Sequence, residues 1–327
     1  MKVRILSQED LRATLTMREA IPVVRRAFGQ LSAGRARVPV RSRVETKEGV
    51  SLFMPAYLEE SGDLAVKIVS VYSGNPALGL PTTSAIVVVL DAGTGRPVAI
   101  MDGTWLTALR TGAASGVATE LLALRDASIV ALFGTGVQAR TQLEAVCTVR
   151  DVREVRVYDP NLFKAEVLAQ EMSGLGPIPS EVRPVNTPAE AVRDAEIIVT
   201  ATTSKTPVFN NKDVAVGAHI NAIGAYTPEM QEIDAETVRR AKVIVDSREA
   251  CLAEAGDLII PIRQGLISEA HIYAEIGEII NGVKPGRTSP REITLFKSVG
   301  NAVQDVAVAS QVLRVAQERG LGRMIDL

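Results

Sequence analysis

Two rhythms of apolar residues divide the chain. In the opening third, Ala20, Val23, Val24, Ala27, Phe28 and Leu31 recur at helical spacing, with Arg18, Arg25, Arg26 and Gln30 on other faces. This predicts an amphipathic helix ended by Gly34. Pro22 is awkward inside it and implies a kink or a late start. Ser7-Gln-Glu-Asp10 predicts the cap of a shorter helix before it. Residues 38–44 alternate arginines with apolar positions, a strand pattern, and further strands are predicted over 52–57, 64–72, 84–90 and 97–102. Asp91-Ala-Gly-Thr-Gly95 supplies a turn between the last two. Residues 105–124 predict a long helix whose middle, Gly112-Ala-Ala-Ser-Gly116, is nearly all small, as tight helix packing requires.

From residue 128 the rhythm changes to short apolar runs alternating with helical stretches. Strands are predicted over 128–133, 154–158, 181–185, 196–201, 218–223 and 242–246. Thr187-Pro-Ala-Glu190 combines a cap, a proline at the first helical position and a glutamate at the third, which marks a helix start. Such alternation predicts an α/β fold, a doubly wound parallel Rossmann sheet with its ligand beyond the strand C-terminal ends. Residues 293–296 read as one more strand, followed by Val303, Val306, Ala307, Ser310 and Leu313 at helical spacing. That tail is expected to return to the opening domain. The division is therefore an α+β domain of residues 1–115 plus 295–327, carrying an inserted Rossmann domain of residues 116–294.

The sharpest chemical signal opens the second rhythm. The apolar run 129–133 leads directly into Gly134-Thr-Gly136-Val-Gln-Ala139, and a helix is predicted from Val137. Strand, glycine turn and helix in that order are the context in which a Gly-x-Gly-x-x-Ala turn binds a dinucleotide. The first glycine permits the tight turn, the second lets a pyrophosphate approach the backbone, and Ala139 still allows close helix–strand packing. The phosphates would sit on the free N–H groups and positive end of the helix. Asp159 ends the second strand of this region, where a carboxylate accepts hydrogen bonds from ribose hydroxyls and repels a 2′-phosphate. That favours NAD and disfavours NADP.

Composition narrows the classes. Of 327 residues, 46% are hydrophobic and 23% charged, an ordinary globular balance. A net charge of -2 gives no electrostatic case for nucleic acid or an anionic membrane, and 4% aromatics offer no base-stacking platform. No apolar run approaches about 18 residues, so no membrane span is expected. Cys147 and Cys251 are the only cysteines, and with two histidines they form no metal-binding cluster. Two reduced thiols and the absence of a basic-then-apolar start lead to the expectation of a cytoplasmic protein without a metal.

A nicotinamide enzyme needs groups that hold substrate and move a proton. Arg41 and Arg43 lie in the 38–44 pattern, Lys67 interrupts the apolar run Leu64-Ala-Val-Lys-Ile-Val, and Arg110 lies in the small-residue helix. A lysine inside an apolar run has a lowered pKa and becomes a usable acid or base. Arginine forks bind carboxylates. His219 reads as a strand residue with a satisfied ring, and Glu254 and Asp257 as solvated acids of a loop. The opening cations and the nucleotide cradle are expected to face a common cleft.

At these residues the chain resembles the ornithine cyclodeaminase/mu-crystallin family, which includes archaeal-type alanine dehydrogenases and ketimine reductases. The resemblance rests on Pro39-Val-Arg41, Met54-Pro-Ala-Tyr57, Val66-Lys67-Ile-Val, Gly79-Leu-Pro-Thr82, Met101-Asp-Gly103 and Leu109-Arg110-Thr-Gly-Ala-Ala-Ser115. Gly134-Thr-Gly-Val-Gln138, Ile220-Asn-Ala-Ile-Gly224 and Ser298-Val-Gly300 with Gln304-Asp305 complete it. It implies a dimerising N-plus-C-terminal domain, a homodimer, and Arg41, Lys67 and Arg110 around a substrate carboxylate and the reacting carbon. It also implies cofactor contacts from Thr82, Arg110, Thr111, Val137, Gln138, Asp159, Thr200, Ile223 and Ser298 beside the turn glycines Gly134 and Gly136, with Val299 at the nicotinamide–substrate boundary.

Two positions depart from the cyclodeaminases of that family. Leu52 stands where they carry an acid before the Met-Pro motif, and Tyr226 where they carry a catalytic aspartate. Ring closure on a diamino acid needs carboxylates for the distal ammonium and for proton shuttling. The expected function is therefore an NAD(H)-dependent imino-acid (ketimine) reductase or amino-acid dehydrogenase, with hydride passing between nicotinamide C4 and the substrate α-carbon. An ammonia-releasing ornithine cyclodeaminase is the first alternative, and a non-catalytic, crystallin-like NAD(P)H-binding protein the second.

Overall fold

Alternating rows and helical stripes become regular elements throughout the computed structural model, which describes residues 1–327. In chain order these begin with β1 (Lys2–Leu6), α1 (Gln8–Thr14), α2 (Met17–Ser32), β2 (Ala36–Arg37), β3 (Ser42–Glu45), β4 (Val50–Leu58), β5 (Asp63–Val71), β6 (Thr83–Asp91), β7 (Pro97–Asp102) and α3 (Gly103–Leu122). The middle of the chain forms β8 (Ile129–Phe133), α4 (Val137–Val149), β9 (Glu154–Tyr158), α5 (Leu162–Met172), β10 (Val182–Pro184), α6 (Pro188–Val192), β11 (Ile197–Thr200) and β12 (His219–Ala222). Then follow α7 (Ala235–Arg240), β13 (Lys242–Val245), α8 (Arg248–Glu254), α9 (Gly256–Arg263), β14 (Ile272–Glu275), α10 (Ile276–Ile280), β15 (Thr294–Lys297), α11 (Ala302–Arg319) and β16 (Arg323–Asp326). The chain divides into two compact units, residues 1–110 with 302–327, and residues 111–301.

In the first unit one sheet runs β16-β1-β7-β6-β5-β4-β2, with β3 also paired to β4. Strands β4, β5 and β6 are long antiparallel neighbours in continuous register across β5, so period-two patterning gives the sheet two distinct faces. Met54, Ala56, Ala65, Val69, Val87 and Val89 are buried on one face, and α11 packs against β4 and β5 and against α2. Capping boxes at Ser7 and Thr16 start α1 and α2, and Gly34 closes α2 at φ 71°. Helix α2 starts at Met17 and runs through Pro22, so the late start implied by that proline does not occur. Its ring lies on the exposed side, where the freed carbonyl of the preceding turn is open to water.

The strand expected over 38–44 is shorter than its pattern. Residues 38–41 have no regular structure, β3 begins at Ser42, and Arg41 therefore sits on a connecting segment. Arg43 is exposed and pairs with Glu45 on its own strand at 3.1 Å, a solvated surface pair and not part of a site.

The second unit is an eight-stranded sheet of order β10-β9-β8-β11-β12-β15-β13-β14, and its pairings are all parallel. Apolar clusters cover both faces. One joins Leu143, Val146, Ala165 and Leu168 to β8 and β9, and the other joins Ala191, Val192, Val238 and Leu258 to β11, β12 and β13. Strand order reverses on either side of β8, which puts the switch point at the C-terminal ends of β8 and β11.

Three expectations differ from the structure here. Residues 294–297 do not travel with the tail. They form β15, inserted between β12 and β13 and buried at every position, so the second unit ends at Asn301 and not at 294. The run Ile293–Phe296 is apolar on both faces because it is a central parallel strand. At the other junction the unit begins at Thr111, within α3, five residues before the expected boundary at 116. Asp257 is not a loop acid but the second residue of α9 and is fully buried.

Candidate active site

In the second unit the glycine turn opens a cleft of about 910 Å³, lined among others by Gly134, Gly136, Asp159, Lys164, Thr202 and Ser204. Gly134 has φ 95°, and a β-carbon there would stand 2.6 Å from the Ala201 carbonyl oxygen, so only glycine fits between β8 and β11. Gly136 caps α4 without a side-chain hydrogen bond, and nothing lies within 4 Å of where its β-carbon would be. The first-turn N–H groups of α4 are thus presented at an open glycine, the cradle a pyrophosphate requires. Arg140 donates to the carbonyls of Thr135 (2.6 Å) and Gly136 (3.2 Å), which fixes the turn. Val137 is exposed and Gln138 half-buried at the start of the helix.

Asp159 follows β9 directly. Its Oδ2 accepts from the Thr135 hydroxyl at 2.8 Å and its Oδ1 from the Asn161 N–H at 2.9 Å. The carboxylate is thereby aimed along the cleft with further lone pairs on each oxygen. Turn, helix terminus and acid fit a nicotinamide dinucleotide.

Further along the strand ends the expected cofactor residues are more deeply set. Thr200 has no exposed surface and donates its hydroxyl to Glu232 at 2.9 Å, so the cleft wall at the end of β11 is made by Ala201 and Thr202 instead. Ser298 is buried and donates to Asp246 at 2.7 Å. The same Asp246 oxygen accepts from the N–H groups of Val299 (3.1 Å) and Gly300 (2.9 Å), which fixes the loop after β15. Ile223 and Val299 each retain a little exposed surface. Thr111 is buried in α3.

Beneath these loops lies a charge cluster that the sequence did not reveal. Lys297 of β15 is fully buried, with Nζ 2.9 Å from Asp257 and 3.1 Å from the Ala222 carbonyl. Asp257 accepts from the N–H groups of Glu232 (2.7 Å) and Ile233 (2.9 Å). Glu232 in turn accepts from the N–H groups of Thr202, Gly224 and Ala225. Burial and the Asp257 charge push the Glu232 carboxyl above its usual range, opposed by Lys297 and the Thr202 donors. Burial works against the Lys297 ammonium, but Asp257 and Glu232 outweigh it and hold its pKa up. The cluster ties the ends of β11, β12 and β15 together. His219 is a structural residue, its ring nitrogens 3.0 Å from the Thr294 hydroxyl and 3.2 Å from Asn221 Oδ1, and burial pulls its pKa down to about 3.

In the first unit, period two places Lys67 among the inward residues Ala65 and Val69 of β5, opposite Met54, and it is 1% exposed. Its Nζ meets Asp305 Oδ2 of α11 at 2.8 Å. The other Asp305 oxygen accepts from Arg110 Nε at 2.9 Å, and Arg110 Nη1 donates to Gln304 at 2.6 Å. Burial pulls the Lys67 pKa down to about 8, with Asp305 opposing the shift and the Arg110 and Arg41 charges reinforcing it. Lys67 and Arg110 are therefore brought together, and Arg41 lies within electrostatic reach. Thr82 is exposed just before β6, its carbonyl accepting from Tyr72 N–H. The sequence signal for Asp305 was a Gln-Asp pair inside the otherwise apolar stretch 302–309.

The model of the ornithine cyclodeaminase/mu-crystallin family matches residues 1–320. A Delta(1)-pyrroline-2-carboxylate reductase of Bacillus cereus is 41% identical over 325 residues, 98% of this chain and 99% of its own. The solved structure of the Thermococcus litoralis Delta(1)-pyrroline-2-carboxylate reductase, in complex with NADH and L-proline, is 46% identical with a TM-score of 0.95, covering 98% of this chain and 99% of that one. An archaeal alanine dehydrogenase dimer with bound NAD is 38% identical with a TM-score of 0.94, and both chains are covered in full. The chain belongs to the ornithine cyclodeaminase/mu-crystallin family.

Proposed function

We propose that the protein is an NAD(H)-dependent reductase of a small imino acid, a cyclic ketimine carboxylate in the first place, running in reverse as an amino-acid dehydrogenase. The observation that carries this reading is the buried Lys67 beside Arg110. A lysine with a pKa of about 8 is mostly an ammonium at neutral pH yet gives up its proton readily. Arg110, held by Asp305 and Gln304, and Arg41 supply the positive charge that clamps the substrate carboxylate. Lys67 protonates the imine nitrogen, which makes its carbon electrophilic, and regains the proton from solvent. A bound dihydronicotinamide supplies the hydride that this carbon accepts. Holding the substrate carboxylate in one orientation is worth several kcal/mol, on the order of the gains from well-oriented intramolecular reactions.

Leu52 shares the Lys67 face of the sheet, at the position where the cyclodeaminases of the family carry an acid. It offers no acceptor for a distal ammonium, which argues against ornithine as substrate. The relatives named for pyrroline-2-carboxylate reduction point the same way. Asp159 supports NAD over NADP. A homodimer is supported by the outer face of the first sheet, where Phe53, Ile68 and Ile86 pair across one row and Pro55, Val66, Val88 and Ile100 across the next. The archaeal alanine dehydrogenase is itself a dimer. Both cysteines are buried and free, which fits a cytoplasmic setting. No helix is long and apolar enough to cross a membrane.

The test is NADH oxidation with Delta(1)-pyrroline-2-carboxylate and with pyruvate plus ammonia, beside proline formation from ornithine. Imine reduction is expected, and Lys67→Met should lose about 10²–10⁴ in turnover while still binding NADH. A protein that binds NADH but reduces no imine, or a Lys67→Met variant with normal turnover, overturns the proposal.

A further inference from the structure

We propose that Asp305 is a positioning residue of this site: it keeps Lys67 charged and fixes the Arg110 fork. The inference rests on the reading of Lys67 as proton donor. The two cations come from different elements, β5 and α3, and each is bonded to a different oxygen of the one carboxylate. Asp305 has no exposed surface, so its charge is not dissipated in water. The neighbouring Gln304 of α11 takes a second Arg110 nitrogen, so two consecutive residues fix the plane of the guanidinium. A rotation of Arg110 would break both bonds.

The charges around Lys67 decide what Asp305 must do. The charged groups facing it are Asp305 from α11, Arg110 from α3 and Arg41 from the segment before β3. Without Asp305, a fully buried lysine would face two positive neighbours, and the neutral amine would be favoured. A neutral amine has no proton to give an imine. With Asp305 present, one carboxylate stands against three cations, and the surplus of positive charge still attracts a substrate carboxylate. The acid thus serves proton transfer and substrate capture together.

The experiment uses the full chain with Asp305→Asn, which keeps the shape and removes the charge, and Asp305→Glu, which keeps the charge on a longer arm. Lys67 is followed by ¹⁵N spectra of lysine-labelled protein, its resonance identified by its absence in Lys67→Arg. The midpoint near pH 8 in the parent is expected to fall by about one to three pH units in Asp305→Asn. It should stay near the parent value in Asp305→Glu, whose displaced fork raises KM. In NADH-dependent imine reduction the basic limb of kcat/KM should move down with the midpoint. The loss at pH 8 should be about fivefold or more and should shrink on acidification.

An unmoved midpoint in Asp305→Asn overturns the inference, as does an unmoved basic limb in an active enzyme. A parent that reduces no imine, with the midpoint shift intact, overturns the reductase reading and leaves Asp305 as the group that sets the charge of Lys67. Should Asp305→Asn not fold, an Asp305→Glu enzyme with unaltered KM overturns the fork-fixing role.

Discussion

Replacing Lys297 by methionine removes one charge from the buried cluster of the second unit and changes its volume little. Asp257 and Glu232 then lie fully buried with their shared counter-ion gone, while the N–H donors that hold them remain. Breaking a buried pair from one side costs about 3–5 kcal/mol. For a unit of this size each kcal/mol moves Tm by about 2–4 °C, so a drop of about 6–20 °C is expected. The sign of the pH dependence follows from the two shifted groups. The Lys297 pKa is raised, so its contribution is complete below its ordinary value near 10.5 and is lost only above that. It is therefore constant between pH 5 and 8. The Glu232 pKa is raised above 4.5, so the native state binds more protons than the unfolded chain just above that value, and stability falls as pH rises through the window. Without Lys297 the window extends upward. The destabilisation should thus be smaller at pH 5 than at pH 8, as read by thermal unfolding of both proteins. Adding Asp257→Asn should recover about half of the loss or more, because it removes one of the two stranded charges. A Tm change under about 3 °C at pH 8, or an equal change at both pH values, would refute the account of this cluster as a charge-balanced clamp.

Two further outcomes test the remaining assignments. Asp159→Ala removes the acid from the cleft and leaves Lys164 on the same wall, so the NADPH-to-NADH affinity ratio should rise about tenfold or more, and a ratio within about twofold of the parent would remove Asp159 as the discriminator. Val66→Asp puts a charge in the middle row of the outer sheet face and, in a twofold-symmetric pair, introduces it twice; light scattering should report monomers, and an undisturbed dimer would show that this face is not the contact.

Much of the chemistry was local enough to read from the chain. The glycine turn, the buried strand before it, the helix after it and Asp159 occupy about 30 consecutive residues, and each is fixed by its neighbours along the backbone. Lys67 announced itself because period two made it an inward residue between Ala65 and Val69. Other readings failed where a local pattern has two meanings. The run 293–296 was a good strand with no signal of its partner, and the sheet took it between β12 and β13. Asp257 looked like a loop acid because nothing near it in sequence reveals Lys297. Thr200 ends a strand as expected, and the acceptor of its hydroxyl, Glu232, is 32 residues away in sequence and could not be read from the chain.

The sequence by itself determined most of the strands and helices that flank the site, that a dinucleotide turn lies in the middle of the chain, and that a lysine is driven into an apolar face. Those facts follow from steric preference and from water's rejection of apolar surface, both of which act residue by residue. Only the tertiary structure decided which charges meet. Arg110 and Asp305 are 195 residues apart, and their contact depends on how α11 docks on β4 and β5. Electrostatic partners are chosen by distance in space, and in a buried site that choice sets whether Lys67 carries the proton its proposed chemistry requires.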